Sequence, residues 1–146
     1  MIEYVRGDLL KSSAQVLVNT VNTVGIMGAG IALQFKEQYP EMFQKYQLLC
    51  KKKLLDIGKL YLWKSTDTSN KEILLFPTKK HWLNLSELHW IEAGLQKFVE
   101  NYERLNIKSI AFPKLGCGNG GLSWHDVKPV MEKYLEPLPI KIYVYI

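Results

Sequence analysis

A glycine-rich segment between a predicted strand and a predicted helix offers the clearest chemistry in this chain. The segment covers residues 18–31 and reads VNTVNTVGIMGAGI. It carries two amides three residues apart, Asn19 and Asn22, and then three glycines before a helical pattern begins. A strand, a glycine-rich turn and a helix start together present backbone N–H groups and a helix dipole to an anion. The segment therefore predicts one wall of a pocket for a phosphorylated ligand. The alternative is a β-to-α turn whose glycines only permit tight packing.

Two more loops with suitable chemistry follow predicted strands. The late one, at residues 113–122, reads PKLGCGNGGL, and the other, at residues 78–82, reads TKKHW. From the residues alone, the lysine pair in TKKHW is either solvated or acts on a ligand, and its two rings either stack on a base or belong to the core. Ligands of α/β sheets bind beyond the carboxyl ends of the strands. We therefore expect these loops to face one crevice, with the two glycine-rich loops clasping a diphosphate.

Composition indicates an ordinary globular protein. The 146 residues suit one domain, residues 1–146, and 47% of them are hydrophobic. No segment reaches the ~20 apolar residues of a membrane span, and the N-terminus lacks the pattern of a signal peptide. The two cysteines and three histidines show no metal-ligand spacing. We expect no metal, no cofactor, and reduced thiols in the cytoplasm. The net charge of +5 is compatible with a nucleotide or nucleic-acid ligand.

Hydrophobic periodicity predicts six strands with helices spread between them. The strands are expected at residues 2–5, 15–20, 60–63, 72–76, 109–112 and 140–145. The helices are expected at residues 27–38, 40–53, 84 to about 102, and 123 to about 135. Capping boxes, Asn84 with Glu87 and Ser123 with Asp126, are predicted to open the last two helices. This order favours an α/β fold with a mixed sheet and helices on both faces.

Four motifs make the whole chain resemble the macrodomain family. They are GDLL at residues 7–10, VNTVN at 18–22, GIMGAGIA at 25–32 and PKLGCGNGGL at 113–122, in that family's order. Within the family, the chain is similar to the branch of terminal ADP-ribose protein glycohydrolase. VNTVGIMGAGIALQFK and FPTKKHW are still more similar to the DNA ADP-ribosyl glycohydrolase antitoxins. The resemblance implies a three-layer α/β/α sandwich with a six-stranded mixed sheet, and removal of ADP-ribose from thymidine in single-stranded DNA.

The resemblance also implies a set of ADP-ribose contacts. Asp8 would accept a hydrogen bond from the adenine amino group, although by residue type it also suits a turn or cap. Asn22 would touch the distal ribose, although asparagine equally well holds its own loop. The two glycine-rich loops would bind the phosphates through backbone groups, with Cys117 contributing only its backbone. The expected contacts are Asp8, Leu9, Asn19, Thr20, Asn22, Met27, Gly28, Ala29, Gly30, Ile31, Thr78, Leu115, Gly116, Cys117, Gly118 and Asn119.

Lys79 is the catalytic residue that the resemblance implies. In this branch, the lysine after Phe-Pro-Thr attacks the anomeric carbon of the distal ribose. Lys80 would be its charged neighbour, or the nucleophile itself if the assignment is off by one residue. His81 and Trp82 are the candidate nucleic-acid contacts. Protein-directed relatives carry an aspartate two residues after GCG, where this chain has Gly120, and this difference favours a DNA substrate.

Other functions share much of this pattern. A reader module would bind ADP-ribose without turnover, and a protein-directed glycohydrolase would act on ADP-ribosylated carboxylates. An NAD oxidoreductase is disfavoured, because the chain lacks a GxGxxG motif with an acidic residue ~20 positions further on. The resemblance suggests a toxin partner, a DNA ADP-ribosyltransferase, which a further domain of the antitoxin would hold. We therefore expect either a piece of a longer antitoxin or a free-standing enzyme, monomeric and not bound to a membrane.

Overall fold

Six strands form one mixed sheet, which confirms the predicted number of strands and the mixed character of the sheet. The computed structural model describes residues 1–146. The strands are β1 Ile2–Val5, β2 Val16–Val21, β3 Tyr61–Lys64, β4 Glu72–Pro77, β5 Ser109–Phe112 and β6 Lys141–Tyr145. They lie in the order β1-β6-β5-β2-β4-β3, and β3 alone is antiparallel to its neighbour. The predicted strands agree with these bounds to within one residue at each end.

Four α-helices accompany the sheet. They are α1 Gly30–Gln38, α2 Pro40–Lys51, α3 Leu88–Asn101 and α4 Trp124–Leu135. Two short 3-10 turns that the sequence did not predict, Leu9–Lys11 and Gly118–Gly120, lie in the loops after β1 and β5. None of the helices has both the length and the apolar character needed to cross a membrane.

The start of α1 differs from the prediction. We expected the helix to begin at Met27, but it begins at Gly30. Met27 is buried in the core with 1% of its surface exposed, and Ala29 is extended with φ −155° and ψ 165°. Gly30 itself has a φ of +59°, a left-handed conformation that glycine adopts without strain. The glycine-rich segment therefore stays a loop for longer than the apolar spacing indicates.

One of the two predicted helix caps is wrong. α3 begins at Leu88, and no side chain caps it. Asn84 lies instead in an exposed turn, where its backbone N–H donates to the His81 carbonyl at 3.0 Å. Ser123 does cap α4, because its hydroxyl accepts a hydrogen bond from the His125 backbone at 3.2 Å. The loop after β4 is therefore longer than expected, and it leaves more side chains free near the end of that strand.

Alternating strand residues fill an apolar core on each face of the sheet. Along β2, Val16 and Val18 join the cluster under α3 and α4, while Leu17 joins the cluster under α1 and α2. The first cluster contains 18 buried residues and the second 15. Helices therefore cover both faces of the sheet, which confirms the predicted three-layer α/β/α arrangement. A Cβ atom at Gly94 of α3 would lie 2.3 Å from the Phe76 ring. Close packing of α3 therefore fixes the end of β4, immediately before the lysine loop.

The five parallel strands all end at one edge of the sheet. β2 lies between β5 and β4, so the three loops that the sequence singles out leave adjacent strands. The chain after β1, with Gly7 and Asp8, and the end of β6, at Tyr145, reach the same edge. This edge is where α/β sheets bind their ligands.

Candidate functional site

A cleft of about 1200 Å³ lies at this edge, between the loops. It is larger than the ~300–1,000 Å³ of most small-ligand pockets. Its charged lining residues are Asp8, Lys79 and Lys114, two ammonium groups against one carboxylate. A lining with an excess of positive charge and many backbone N–H groups suits a long anionic ligand.

The first glycine-rich loop supplies the cleft with backbone donors. Gly28, Ala29 and Gly30 all line it, and α1 starts directly from them. The N–H groups of the first helical residues have no partner inside a helix. In α1, the Leu33 N–H donates a hydrogen bond to the Ala29 carbonyl at 3.3 Å. The N–H groups that precede Leu33 in the helix remain available to a ligand. Together with the positive end of the helix dipole, these N–H groups have the chemistry that suits a phosphate.

The second glycine-rich loop faces the first across the cleft. A Cβ atom at Gly30 would lie 3.2 Å from the amide nitrogen of Asn119, so the two loops nearly touch. Gly118 has a φ of +65°, and the space where its Cβ atom would lie is empty. Gly116, with φ +73°, is different, because a Cβ atom there would lie 2.7 Å from Leu122. Gly118 therefore keeps the cleft open, whereas Gly116 serves the packing of the loop.

Cys117 sits between these two glycines and lines the cleft. Burial is the main cause that raises the pKa of its thiol, and Lys114 opposes the shift. Its sulfur lies 3.7 Å from the Leu115 carbonyl oxygen. A thiol with a raised pKa is a poor nucleophile. Its side chain is therefore suited to filling space rather than to nucleophilic attack.

Asn22 holds the first loop in place with its whole side chain. Its amide nitrogen donates to the Ile26 carbonyl at 2.7 Å, and its oxygen accepts from the Val24 N–H at 3.1 Å. The buried Tyr46 hydroxyl lies 2.7 Å from the same oxygen, and burial raises the pKa of Tyr46. Asn22 reaches the cleft wall but is 8% exposed. Of the two roles considered from sequence, the structure shows the loop-holding one.

Lys79 and Lys80 point to different surroundings. Lys79 lines the cleft, and its ammonium lies 3.4 Å from the Trp82 carbonyl oxygen. Lys80 is exposed and lies outside the cleft, with its ammonium 5.3 Å from the centre of the Trp90 ring. His81 and Trp82 stack on each other with ring centres 5.5 Å apart. One lysine of the pair therefore faces the cleft, and the other makes a cation–π contact on the surface.

Asp8 lies at the opposite end of the cleft from Lys79. One carboxylate oxygen accepts a hydrogen bond from the Leu10 backbone at 3.0 Å and caps the 3-10 turn. The carboxylate also lines the cleft, so both roles considered from sequence are compatible with its position. Four strand spacings of about 4.8 Å separate β1 from β4, so the strands that precede Asp8 and Lys79 lie about 19 Å apart across the sheet. A ligand that touches both ends must be long.

Comparison with known proteins agrees with this geometry. The model of the family described as "Macro domain" matches residues 18–131. The chain belongs to the macrodomain family. A DNA ADP-ribosyl glycohydrolase of Mycobacterium tuberculosis is 49% identical over 143 residues, which are 95% of this chain and 40% of the relative. The solved macrodomain of Mycobacterium tuberculosis DarG has a TM-score of 0.95 at 47% identity, covering 99% of this chain and 97% of that one.

A second relative comes from Thermosipho africanus. It is a DNA ADP-ribosyl transferase–DNA ADP-ribosyl glycohydrolase fusion protein, 45% identical over 99% of this chain and 42% of its own length. The solved structure of Thermosipho africanus DarTG in complex with ADP-ribose has a TM-score of 0.95 and covers 99% of this chain and 41% of that one. The present chain thus spans about two fifths of the length of these curated relatives.

Three of the expected contacts lie behind the wall of this macrodomain's cleft. Asn19, Met27 and Leu115 are fully or almost fully buried and do not line it. The Asn19 amide nitrogen lies 3.7 Å from the Met27 sulfur, and its oxygen has no partner. The other expected contacts all line the cleft. These three residues therefore shape the wall from within rather than face a ligand.

Nine residues that line the cleft were not among the expected site residues, and two of them, Lys114 and Tyr145, have side chains suited to contact a ligand. Lys114 lies in the quoted PKLGCGNGGL motif, and its charge next to the glycines was a signal that could have identified it. Tyr145, at the end of β6, carried no such signal. Only the pairing of β6 between β1 and β5 brings its ring to the Asp8 end of the cleft.

Proposed function

We propose that this macrodomain is a DNA ADP-ribosyl glycohydrolase that removes ADP-ribose from thymidine in single-stranded DNA, with Lys79 as nucleophile. The observation that carries the proposal is the position of Lys79 in the cleft, at the opposite end from Asp8. ADP-ribose has a base at one end and an anomeric carbon at the other. A carboxylate that recognises the base and an amine that attacks the sugar should therefore lie far apart. The 49% identity to a DNA ADP-ribosyl glycohydrolase supports the same activity.

In this proposal the ligand lies across the carboxyl ends of the strands. The adenine amino group donates to the free oxygen of Asp8, beside the ring of Tyr145. The diphosphate lies between the two glycine-rich loops, where the N-terminus of α1 and the opening at Gly118 support it. The distal ribose then reaches the end of β4, near Lys79. The complex of the Thermosipho africanus relative with ADP-ribose supports this class of ligand.

The reaction begins with attack of the neutral Lys79 amine on the anomeric carbon. A bond forms between Nζ and that carbon, and the bond from the carbon to the thymine nitrogen breaks. Thymine leaves with its electron pair and takes a proton. The sugar ring then opens as its oxygen becomes a hydroxyl, and the lysine holds the sugar as a Schiff base. Addition of water to the imine carbon releases ADP-ribose and regenerates the amine.

The late glycine-rich loop favours DNA over protein as the substrate. Protein-directed relatives carry an aspartate at the position of Gly120. Here a Cβ atom at Gly120 would lie 2.6 Å from the Ser86 hydroxyl. The Ser86 N–H also donates a hydrogen bond to the Gly120 carbonyl at 2.8 Å. A carboxylate at this position would require Ser86 to move. The loop is therefore built for glycine, and the lysine has no carboxylate partner there.

A side-by-side assay separates this proposal from its rivals. The protein is incubated with an oligonucleotide ADP-ribosylated on thymidine and with a protein ADP-ribosylated on glutamate. We expect free ADP-ribose to appear from the oligonucleotide and not from the protein. Release from the protein alone would support the protein-directed alternative, and binding of ADP-ribose without release from either would support a reader module.

A partner and a location follow from the same proposal. A substrate with ADP-ribose on DNA requires a DNA ADP-ribosyltransferase, and the Thermosipho africanus relative carries both activities in its name. We propose such a transferase, acting as a toxin, as the source of the substrate. A DNA substrate and two free cysteines are consistent with the cytoplasm as the place of action.

A further inference from the structure

Large apolar side chains are exposed around the Lys79 end of the cleft. Two loops carry them, the one after β2 and the one after β4, and their exposed fractions run from 43% for Val24 to 70% for Leu83. Together they form a surface that we call the rim, which consists of Val24, Ile26, Trp82, Leu83 and Leu85. Exposed apolar side chains that occur singly need no explanation, but a cluster at the mouth of a cleft marks a binding surface.

The loop after β4 is fixed on both sides. The Lys80 carbonyl accepts a hydrogen bond from the Thr23 hydroxyl at 2.7 Å, which ties it to the loop after β2. The Ser86 N–H donates to the Gly120 carbonyl at 2.8 Å, which ties it to the loop after β5. Within the loop, the Leu83 N–H donates to the His81 ring nitrogen at 3.1 Å. The rim is therefore held in its exposed position by hydrogen bonds on both sides.

We propose that the rim binds the unpaired bases that flank the modified thymidine, so that this enzyme recognises a stretch of single-stranded DNA and not only the modified nucleotide. This inference rests on the proposed function, because it assigns the rim to the DNA strand that carries the leaving group of the proposed reaction. Ile26 and Trp82 line the cleft, and the other rim residues are exposed on the same two loops. A DNA strand that enters at the Lys79 end must therefore cross the rim.

The chemistry of the rim fits unpaired bases. Trp82 stacks on His81 with ring centres 5.5 Å apart, and the residue is still 48% exposed. Bases stack on aromatic rings whatever their sequence, and lysines nearby hold the backbone phosphates. Lys80 supplies such a charge in the same loop, and the whole chain carries a net charge of +5. A duplex hides the faces of its bases and gains nothing from such a surface.

A binding experiment without turnover tests the rim. Fluorescence anisotropy of an unmodified ten-nucleotide oligonucleotide is measured with the protein saturated with ADP-ribose, as in the product complex. We expect the single strand to bind more tightly than the duplex, and Trp82→Ala to weaken binding by about tenfold. Trp82→Phe retains an aromatic face and should restore most of the affinity. Ile146→Ser, another exposed apolar position but at the Asp8 end, is the matched control and should change nothing.

Kinetics give a second measure that folding defects cannot imitate. For each variant, kcat/KM is measured on an ADP-ribosylated oligonucleotide and on ADP-ribosylated thymidine alone, with one preparation. We expect Trp82→Ala and Leu83→Ser to lower the ratio of kcat/KM on the oligonucleotide to kcat/KM on ADP-ribosylated thymidine, because only the oligonucleotide has flanking bases that contact the rim. A smaller folded fraction would lower both values equally and leave this ratio unchanged. An unchanged ratio together with equal binding of single strand and duplex would overturn the proposal and favour a protein partner for the rim. Absence of turnover on both substrates, with oligonucleotide binding intact, would instead count against the proposed function.

Discussion

The two ends of the cleft are built differently. At the β1 end, Asp8 is fixed by a backbone hydrogen bond, and Tyr145 lies in the sheet itself. At the β4 end, Lys79 lies on a loop whose neighbours, Trp82 and Leu83, are exposed. The groups at the β1 end suit recognition of an invariant base, whereas the exposed apolar side chains at the β4 end suit contact with variable substrates. Under the proposed function, the β1 end recognises the nucleotide and the β4 end carries the chemistry.

The largest effect is expected from the two neighbouring lysines. Lys79→Ala should lower kcat by about 10³-fold or more while ADP-ribose binding persists, because a covalent nucleophile is lost. Lys80→Ala is the matched control and should retain most of the turnover of ADP-ribosylated thymidine, since Lys80 lies outside the cleft. Single-turnover kinetics and calorimetry measure the two quantities. Equal losses in both variants would remove the distinction between the two lysines.

The second effect concerns the space beside the phosphates. Gly118→Glu should lower the affinity for ADP-ribose by more than about 100-fold, because a carboxylate would enter the open space at this position. Gly118→Ala is the control for backbone strain, since any side chain at φ +65° costs about 1–2 kcal/mol of stability. Calorimetry and thermal unfolding separate the two contributions. Wild-type affinity in Gly118→Glu would show that this loop does not line the ligand site.

The third effect tests the recognition end. Asp8→Ala removes the cap of the 3-10 turn as well as the acceptor for adenine, whereas Asp8→Asn retains an oxygen for the cap. Both should weaken ADP-ribose binding by about tenfold to a hundredfold, the cost of a lost hydrogen bond to a charged group. Only Asp8→Ala should also lower the free energy of unfolding, by about 1 kcal/mol. Wild-type affinity for ADP-ribose in Asp8→Asn would indicate that Asp8 only caps the 3-10 turn.

The smallest effect is one of salt. If two DNA phosphates are contacted beyond ADP-ribose, raising the salt from about 50 to 200 mM should lower kcat/KM for the oligonucleotide about sevenfold. The same change should weaken binding of free ADP-ribose less, because that ligand carries only its own diphosphate. Equal salt dependences of kcat/KM for the oligonucleotide and of the affinity for free ADP-ribose would indicate that the protein contacts only the ADP-ribose part of the substrate.

The sequence predicted the scaffold well and the details of the site less well. Strand bounds followed from short apolar runs, and the expectation that the two glycine-rich loops face one crevice followed from their position after strand ends. Asn19, which the resemblance places at the ligand, is buried behind the wall of the cleft, and the sequence of β2 gives no sign of this. Asn84 has the residue type of a helix cap, but in the structure it lies in a turn, where its backbone N–H donates to the His81 carbonyl.

The order of the strands explains what no local pattern could supply. Tyr145 and Asp8 are far apart in sequence, and they share one end of the cleft because β6 pairs with β1. Lys79 and Lys80 are adjacent in sequence, and only their side-chain directions separate them. Motifs therefore located the cleft, but tertiary structure was needed to say which residues face it.

Trapping of the covalent intermediate tests the central claim most directly. Sodium borohydride is added while the wild-type protein acts on an ADP-ribosylated oligonucleotide, and the adduct is located by peptide mass spectrometry. We expect a reduced ADP-ribosyl adduct on Lys79, and no adduct or turnover in Lys79→Arg, since a guanidinium keeps its charge and cannot act as a neutral amine. An adduct on Lys80 would move the assignment by one residue. Turnover in both Lys79→Arg and Lys80→Arg, with no adduct in the wild type, would contradict the lysine mechanism.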